Sequence, residues 1–332
     1  MAGELSLTRS YGDVLTLTGD AVRPIISDVI TSRIPTFLVF NQGFGVKETL
    51  GGGEEIHYPV AKELSQAQSY TDLGTLTTQR PTSLTRVRGV WKQQAADIVV
   101  SGLDMIKNGG DQAIANLFVF RSEMAFLSLA ERLGGSVAGI FSTGTESTLL
   151  QLAGLQSWVS TTTSSGTIGG LSRTNAFWQN VALDISSAFG TNGLNQMRSM
   201  ALRLGRGIDR PNLIVFNRAT FENFHRAHQA TLNYNLPQAP SVAHQAVMDL
   251  GVPTISWNNM AVIYDDFVPV NIGYMLMLRY FHLVVHKEQD FELGEFIAPS
   301  DQHGLFAHVF WAGELICDSI RNQGVLQNGD TN

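Results

Sequence analysis

Charge is what this sequence has least of. Only 15% of its 332 residues are Asp, Glu, Lys or Arg, against about 25% in an ordinary soluble protein. A surface so short of charge is covered by Thr, Ser, Asn, Gln, Gly and apolar groups, which suits a protein that spends its life against copies of itself. The charge present leans acidic, with 22 Lys and Arg against 29 Asp and Glu, a formal net of −7. Binding that rests on phosphate neutralisation concentrates positive charge. No basic patch dominates here, so sequence-specific nucleic-acid recognition is not expected. Cysteine is nearly absent: Cys317 is the only one, which excludes an internal disulfide. Its apolar setting, Glu314-Leu315-Ile316-Cys317, reads as a small buried hydrophobe over a catalytic thiol. The start, Met1-Ala2-Gly3-Glu4, lacks the basic region and apolar run of a signal peptide. The longest apolar stretches are interrupted too soon to span a bilayer. A soluble chain made in the cytoplasm, with no membrane partner, is the expectation.

Motifs for chemistry are also missing. There is no Walker phosphate loop, dinucleotide glycine fingerprint, zinc-hydrolase His-Glu pattern or EF-hand loop. Gly139-Ile140-Phe141-Ser142-Thr143-Gly144 approaches a nucleophile elbow, but its first glycine stands three residues before the serine where Gly-x-Ser-x-Gly needs two. His225 and His228 can share a helix face with Glu222 one turn earlier, a geometry that admits a metal; exposed polar positions on an amphipathic helix explain them more simply. His282 and His286 share a strand face only if no bulge intervenes. The adjacent Asp265 and Asp266 point to opposite faces of a strand, a poor two-carboxylate site. No catalytic residue, cofactor or metal is therefore assigned, and a metal-dependent hydrolase stands as the distant alternative.

What is present is an order of elements. Residues 1 to about 48 alternate short apolar and polar groups and read as an extended arm with a short helix, packed along something other than a small core. Gly51-Gly52-Gly53 precedes a strand at 54–60, and 83–92 is strand-like again, so the two make a long hairpin with a Thr/Gln-rich tip. Such a hairpin is marginal in water and needs a surface to lie on. Arg80, Arg86, Arg88 and Lys92 make its returning arm basic; a solvated sheet edge protected by charge is the plainer alternative. Asp111 opens the clearest helix, about 111 to 133, with apolar positions Ala113, Leu117, Phe120, Met124 and Leu127 and a stripe widened by Ile114, Phe118, Ala125 and Leu129. At 1.5 Å per residue it is about 35 Å long, and Gly134-Gly135 ends it. Residues 160–170 read as a loop. A helix near 194–204, a strand at 212–217 and a helix through about 230 imply helices packed on a sheet. Strands dominate 254–289 and 292–326, the best runs being 262–264, 274–277 and 281–285. The fold class is α+β.

Two strings add detail: Gly169-Gly170-Leu171-Ser172-Arg173, followed by Trp178-Gln179-Asn180, and Arg210-Pro211-Asn212-Leu213-Ile214-Val215-Phe216-Asn217. A Gly-Gly-x-x-Arg and Trp-x-Asn sequence, with such a strand before a helix, inside this order of elements resembles the HK97-like major capsid proteins of tailed bacteriophages. The resemblance spans nearly the whole chain and implies an HK97-like capsid fold. Its parts would be an N-terminal arm (1–48), an extended E-loop (49–94), a peripheral domain with a spine helix (95–139), an axial domain (140–280) and a return to the peripheral domain (281–332).

The resemblance also implies a noncatalytic protein of the virion capsid, assembled in the host cytoplasm by self-association into hexamers and pentamers. The icosahedral head would enclose double-stranded DNA without reading its sequence, with portal, scaffolding and decoration proteins as partners. The basic arm of the E-loop would lie over a neighbouring subunit, making Arg80, Arg86, Arg88 and Lys92 candidate contacts to Asp111, Glu123 and Glu131. Some relatives join an E-loop lysine to an asparagine of another subunit; Lys62 and Lys92 are the lysines in this region, and no cross-link is assigned to them. An encapsulin-like protein compartment, which uses the same fold, is the alternative.

Overall fold

The computed structural model describes residues 34–330 except 45, 63–66, 75–83, 108–110, 208, 233–241, 253 and 299–302, with backbone alone at 111–116, 229–232 and 242–244. The described chain opens with helix α1 (Pro35–Gln42), strand β1 (Lys47–Leu50) and strands β2 (Ile56–Ala61) and β3 (Leu84–Gly89). Strand β4 (Lys92–Ser101), helix α2 (Gly102–Lys107) and the long helix α3 (Asp111–Gly134) follow. Next come α4 (Leu155–Trp158), the short strands β5 (Thr167–Ile168) and β6 (Leu171–Ser172), and β7 (Val181–Asp184). Helix α5 (Leu194–Leu204), β8 (Leu213–Phe216), α6 (Arg218–Leu232) and α7 (Val242–Met248) lead to the last group. That group is β9 (Ile255–Trp257), β10 (Met260–Tyr264), β11 (Ile272–Leu276), β12 (Phe281–Leu293), β13 (Gly304–Cys317) and β14 (Gly324–Gln327).

Two sheets organise these elements. A six-stranded mixed sheet runs β7-β14-β11-β8-β10-β9. It is buried on both faces, as alternate residues of β8 show: Ile214 and Phe216 join Met197, Met200, Leu204 and Phe224 of α5 and α6, while Leu213 and Val215 face the main core. A strand covered on both faces has no polar positions to offer, and Leu213-Ile214-Val215-Phe216 has none. The second sheet runs β1-β12-β13-β4, and its long strands β12 and β13 pair from Phe281↔Cys317 to Leu293↔Val309 through register shifts near Asp290. Helix α3 packs along β4, with Phe118, Ala125, Phe126, Leu129, Ala130 and Leu133 buried. Strands β2 and β3 form a separate antiparallel hairpin, registered from Ile56↔Gly89 to Ala61↔Leu84.

The expected helices and strands at 111–133, 194–204, 212–217, 262–264 and 281–285 are found within a few residues of those limits. Three expectations are corrected. The described end of the first segment is not packed outside a core: Phe37, Leu38, Val39 and Phe40 of α1 are fully buried. The α1 N-terminus is satisfied from far away, since Asp265 Oδ2 accepts the Thr36 amide at 3.2 Å. On α3, Phe118, Ala125 and Leu129 of the wider stripe are buried, whereas Phe120 and Met124 are 56% and 49% exposed. Residues 160–170 are not loop throughout, because β5 and β6 pair across Gly169-Gly170. Among the described residues no helix is long and apolar enough to cross a membrane.

Candidate assembly surface and its anchor

The hairpin joins the body at a root, and Tyr58 and Val60 of β2 pack partly buried against the main core. Along β2 and β3 only Ile56, Val87 and Gly89 are buried, and the rest of both strands is wholly or partly exposed. Two strands alone have too little core to hold themselves in water. The root explains how this one is aimed.

Its main support is the turn Gly169-Gly170. Both residues take positive φ, 63° and 76°, which glycine adopts without strain. Gly169 O accepts the Arg88 amide at 3.1 Å, joining β3 to the turn. A Cβ on Gly169 would stand 2.5 Å from Val87 Cγ1 and 3.0 Å from Trp158 Cη2, so close approach as well as φ requires glycine. The two turn amides point inward and donate to Glu146, Gly169 N to Oε2 at 3.0 Å and Gly170 N to Oε1 at 2.9 Å.

Arg173, three residues further on, is buried and holds the surrounding segments together. Its Nη1 donates to Asn180 Oδ1 at 2.6 Å, and its Nη2 donates to Trp158 O at 2.9 Å and also to Ser157 O. Asn180 Nδ2 in turn donates to Ser160 O at 2.8 Å. Trp178 Nε1 donates to Ile168 O at 3.1 Å, and Trp158 Nε1 to Leu315 O at 3.0 Å. The Gly-Gly-x-x-Arg and Trp-x-Asn strings are thus one connected buried polar network whose output is the direction of β3.

Beneath the turn lies a buried charged pair. Lys92 Nζ is 3.8 Å from Glu314 Oε2, both side chains have no exposed surface, and Nζ donates to the Glu146 carbonyl at 2.9 Å. Glu314 Oε1 accepts the amides of Ala153 and Leu315 at 2.8 and 3.0 Å, while Oε2 has no hydrogen-bond partner. Burial pushes the Glu314 carboxyl up to about 8 and the Lys92 ammonium down. Both shifts have the cause expected where charge is removed from water.

The residues expected to meet a neighbour fall in different places. Lys92 is corrected: it is the first residue of β4, opposite Gly313 of β13, and its buried ammonium cannot touch another subunit. Arg86 and Arg88 are exposed on β3, and Arg88 stands 3.9 Å from Glu55 of its own hairpin. Glu131 is exposed on α3 and Glu123 half-buried. Arg80 and the Asp111 side chain lie outside the described residues. Composition did not point to an exposed apolar set on adjacent elements: Val99 of β4, Leu103 and Ile106 of α2, and Phe120 and Met124 of α3. Beside them, Ala95, Asp97, Arg121, Met124 and Arg132 line a groove of about 420 Å³ between α3 and β4.

His225 and His228 do not gather metal ligands among the described residues. His228 stacks on Phe224 with centroids 5.3 Å apart, and burial lowers its pKa. Among the described residues no three His, Cys, Asp or Glu side chains come together as a metal site. Asp265 is buried on α1, whereas Asp266 pairs with Arg218 at 3.0 Å on the surface. Cys317 is buried, and burial pushes its thiol well up.

No family model and no curated protein matches the sequence. Solved capsid structures do match the fold. The chain is similar to the capsid asymmetric unit of cyanophage A-1(L) at TM-score 0.63 and 13% identity, covering 90% of this chain and 94% of that one. It is similar to the capsid of a native GTA particle at TM-score 0.56 and 10% identity, covering 88% and 90%. It is similar to the capsid of Myoviridae phage XM1 at TM-score 0.55 and 12% identity, covering 88% and 92%. The chain has the HK97-like capsid protein fold.

Proposed function

We propose that this chain is a noncatalytic major capsid protein whose copies assemble through hexamers and pentamers into an icosahedral head around double-stranded DNA. In this reading the β2–β3 hairpin is the E-loop, α3 the spine helix, the six-stranded sheet with its helices the axial domain, and the β1-β12-β13-β4 sheet part of the peripheral domain. One observation carries it: a largely exposed hairpin with almost no core of its own, rooted on a buried network, in a fold similar to capsid proteins over about nine-tenths of the chain. Such a hairpin has a use if a neighbour supplies the surface beneath it.

The exposed apolar side chains of β4, α2 and α3 supply contact area of the kind a neighbour covers. Arg86, Arg88, Glu123 and Glu131 would act at the rim, where exposed ion pairs set register more than they add strength. Closed symmetry multiplies modest contacts over many copies. Portal, scaffolding and decoration proteins are the partners such a head needs, and the assembled shell is the protein's location in the virion. Lys92, buried against Glu314, is not available for a cross-link between subunits.

Electron microscopy of purified assemblies tests this. Shells with a portal vertex and enclosed DNA are expected. Uniformly small, portal-free shells carrying a protein cargo would replace the reading with a protein compartment, and a monomer at high concentration would remove both. Deleting 66–80, the hairpin tip, is expected to spare the subunit core and impair stable shells, read by sedimentation. Normal shells of unchanged thermal stability would count against the E-loop role.

A further inference from the structure

Four separate segments converge on one imidazole at the hairpin root. His282 is the second residue of β12; its Nδ1 is 2.7 Å from Glu48 Oε1 of β1, and its Nε2 is 3.6 Å from Asp318 Oδ2 just after β13. Tyr58 of β2 stacks on the ring, centroids 4.3 Å apart at 18°, and donates its hydroxyl to the other oxygen of Glu48. The 3.6 Å gap is too long for a hydrogen bond. Consistent with that, His282 Nε2 is buried without a hydrogen-bond partner. The contact with Asp318 is therefore aligned and not closed.

We infer that His282 is the pin of a proton-operated latch that fixes the root of the β2–β3 hairpin to the four-stranded sheet. The argument is one of donors and acceptors. A carboxylate lies in front of each ring nitrogen, and a carboxylate only accepts. An imidazolium has a donor on both nitrogens and satisfies both sides. Either neutral tautomer has one donor, so one nitrogen lone pair must face a carboxylate oxygen. Loss of the proton thus turns a nitrogen lone pair toward one of the two carboxylates: the Nδ1–H tautomer keeps Glu48 and repels Asp318, whereas the Nε2–H tautomer repels Glu48. If Glu48 is released, Tyr58 loses its acceptor's fixed position and the hairpin loses its tie at β2.

The surrounding groups hold their states while this happens. Burial, then Glu48, raises the Tyr58 phenol, so it stays neutral and donating. Tyr280, near Asp318, is also raised, by burial and then by Asp209. Burial of His282 disfavours its charge, but the negative charge of Asp318 and the hydrogen bond and charge of Glu48 outweigh burial and leave its pKa above the ordinary 6.5. The sign follows: a histidine raised on folding contributes stability that is complete below its unfolded value and is lost as pH rises through the folded value. The latch is closed in mild acid and opens on the alkaline side of 6.5.

The latch is internal to one chain and does not depend on the capsid reading, so it can be tested on subunits or shells. Amide hydrogen exchange of residues 56–61 and 84–89, corrected for intrinsic rates, would be followed across this pH interval in wild type and in His282→Gln. Protection of the hairpin is expected to fall severalfold as pH rises in the wild type and to stay low and flat in the variant. His57 and His286 also lie at the root, and the single substitution leaves both in place. If His282→Gln does not fold, the imidazole resonance of wild-type His282 decides. A midpoint above 6.5, shared with the hairpin's loss of protection, supports the latch. Protection that does not change with pH, a variant that follows the wild-type curve, or a midpoint at or below 6.5 overturns it.

Discussion

The Lys92–Glu314 pair gives a sharp test of what holds the hairpin root. In Glu314→Gln the side-chain carbonyl can still accept the Ala153 and Leu315 amides, but Lys92 is left as a fully buried cation facing an amide. Removing one partner of a buried pair costs about 3–5 kcal/mol, so this variant should lose stability on that scale. Lys92→Met leaves the opposite orphan. Glu314 can then keep its proton, which burial already favours by raising its pKa to about 8, and a neutral carboxyl is far less costly to bury. The expected loss is nearer about 1–3 kcal/mol, chiefly the bond to the Glu146 carbonyl and local repacking. The double variant has neither uncompensated charge and should be close to Lys92→Met alone. Urea unfolding of unassembled subunits would measure the cycle, read as midpoint shifts at constant slope. A coupling of about 2 kcal/mol or more is expected; losses that add to within about 0.5 kcal/mol would mean the two groups do not sense each other.

Three further outcomes follow from the same geometry. Gly169→Ala places a methyl 2.5 Å from Val87 Cγ1 at φ 63°, which should cost about 1–3 kcal/mol and raise hydrogen exchange in β3 before the rest of the subunit. Arg173→Met strands the carbonyls of Ser157 and Trp158 and the Asn180 oxygen; a loss of about 1–3 kcal/mol for each acceptor left buried without a partner is expected, visible as a lower thermal midpoint of the isolated subunit. Phe120→Ser with Met124→Ser changes only exposed positions, so subunit stability should stay within about 0.5 kcal/mol while sedimentation shows fewer or weaker assemblies. Unaltered assembly would show that this face of α3 stays in solvent.

Much of this architecture was legible because its signals are local. Helix α3 has periodicity, an opening Asp and a closing Gly-Gly; β8 is a short wholly apolar run; the hairpin arms are marked by glycines and a polar tip. The burial of α1 was not legible. The group that satisfies its first turn is Asp265, 229 residues away, so no cap is written near Pro35. Lys92 was misplaced for a related reason. The strand-like run 83–92 continues in sequence, but pairing changes after Gly89, and the lysine begins a strand of another sheet. Only its partner, Glu314, tells a buried lysine from a surface one, and that partner comes from β13. On α3 the sequence has apolar side chains on more than one face, and periodicity cannot say which face meets the sheet. Phe118 and Leu129 are buried; Phe120 and Met124 are exposed.

The ambiguity on α3 has a physical cause that bears on function. A chain poor in charge cannot mark its outer surface by polarity, so apolar residues stand both inside the subunit and on the faces where assembly would bury them. The polar groups that matter most are instead internal: Glu146, Glu314, Lys92 and Arg173 surround the Gly169-Gly170 turn and aim β3. Charge at the root makes the direction of the hairpin expensive to change, because any shift strands a buried donor or acceptor. The strands beyond the root have no comparable constraint from their own core. A fixed base under an arm with almost no core of its own lets the subunit set where the described strands of the hairpin point.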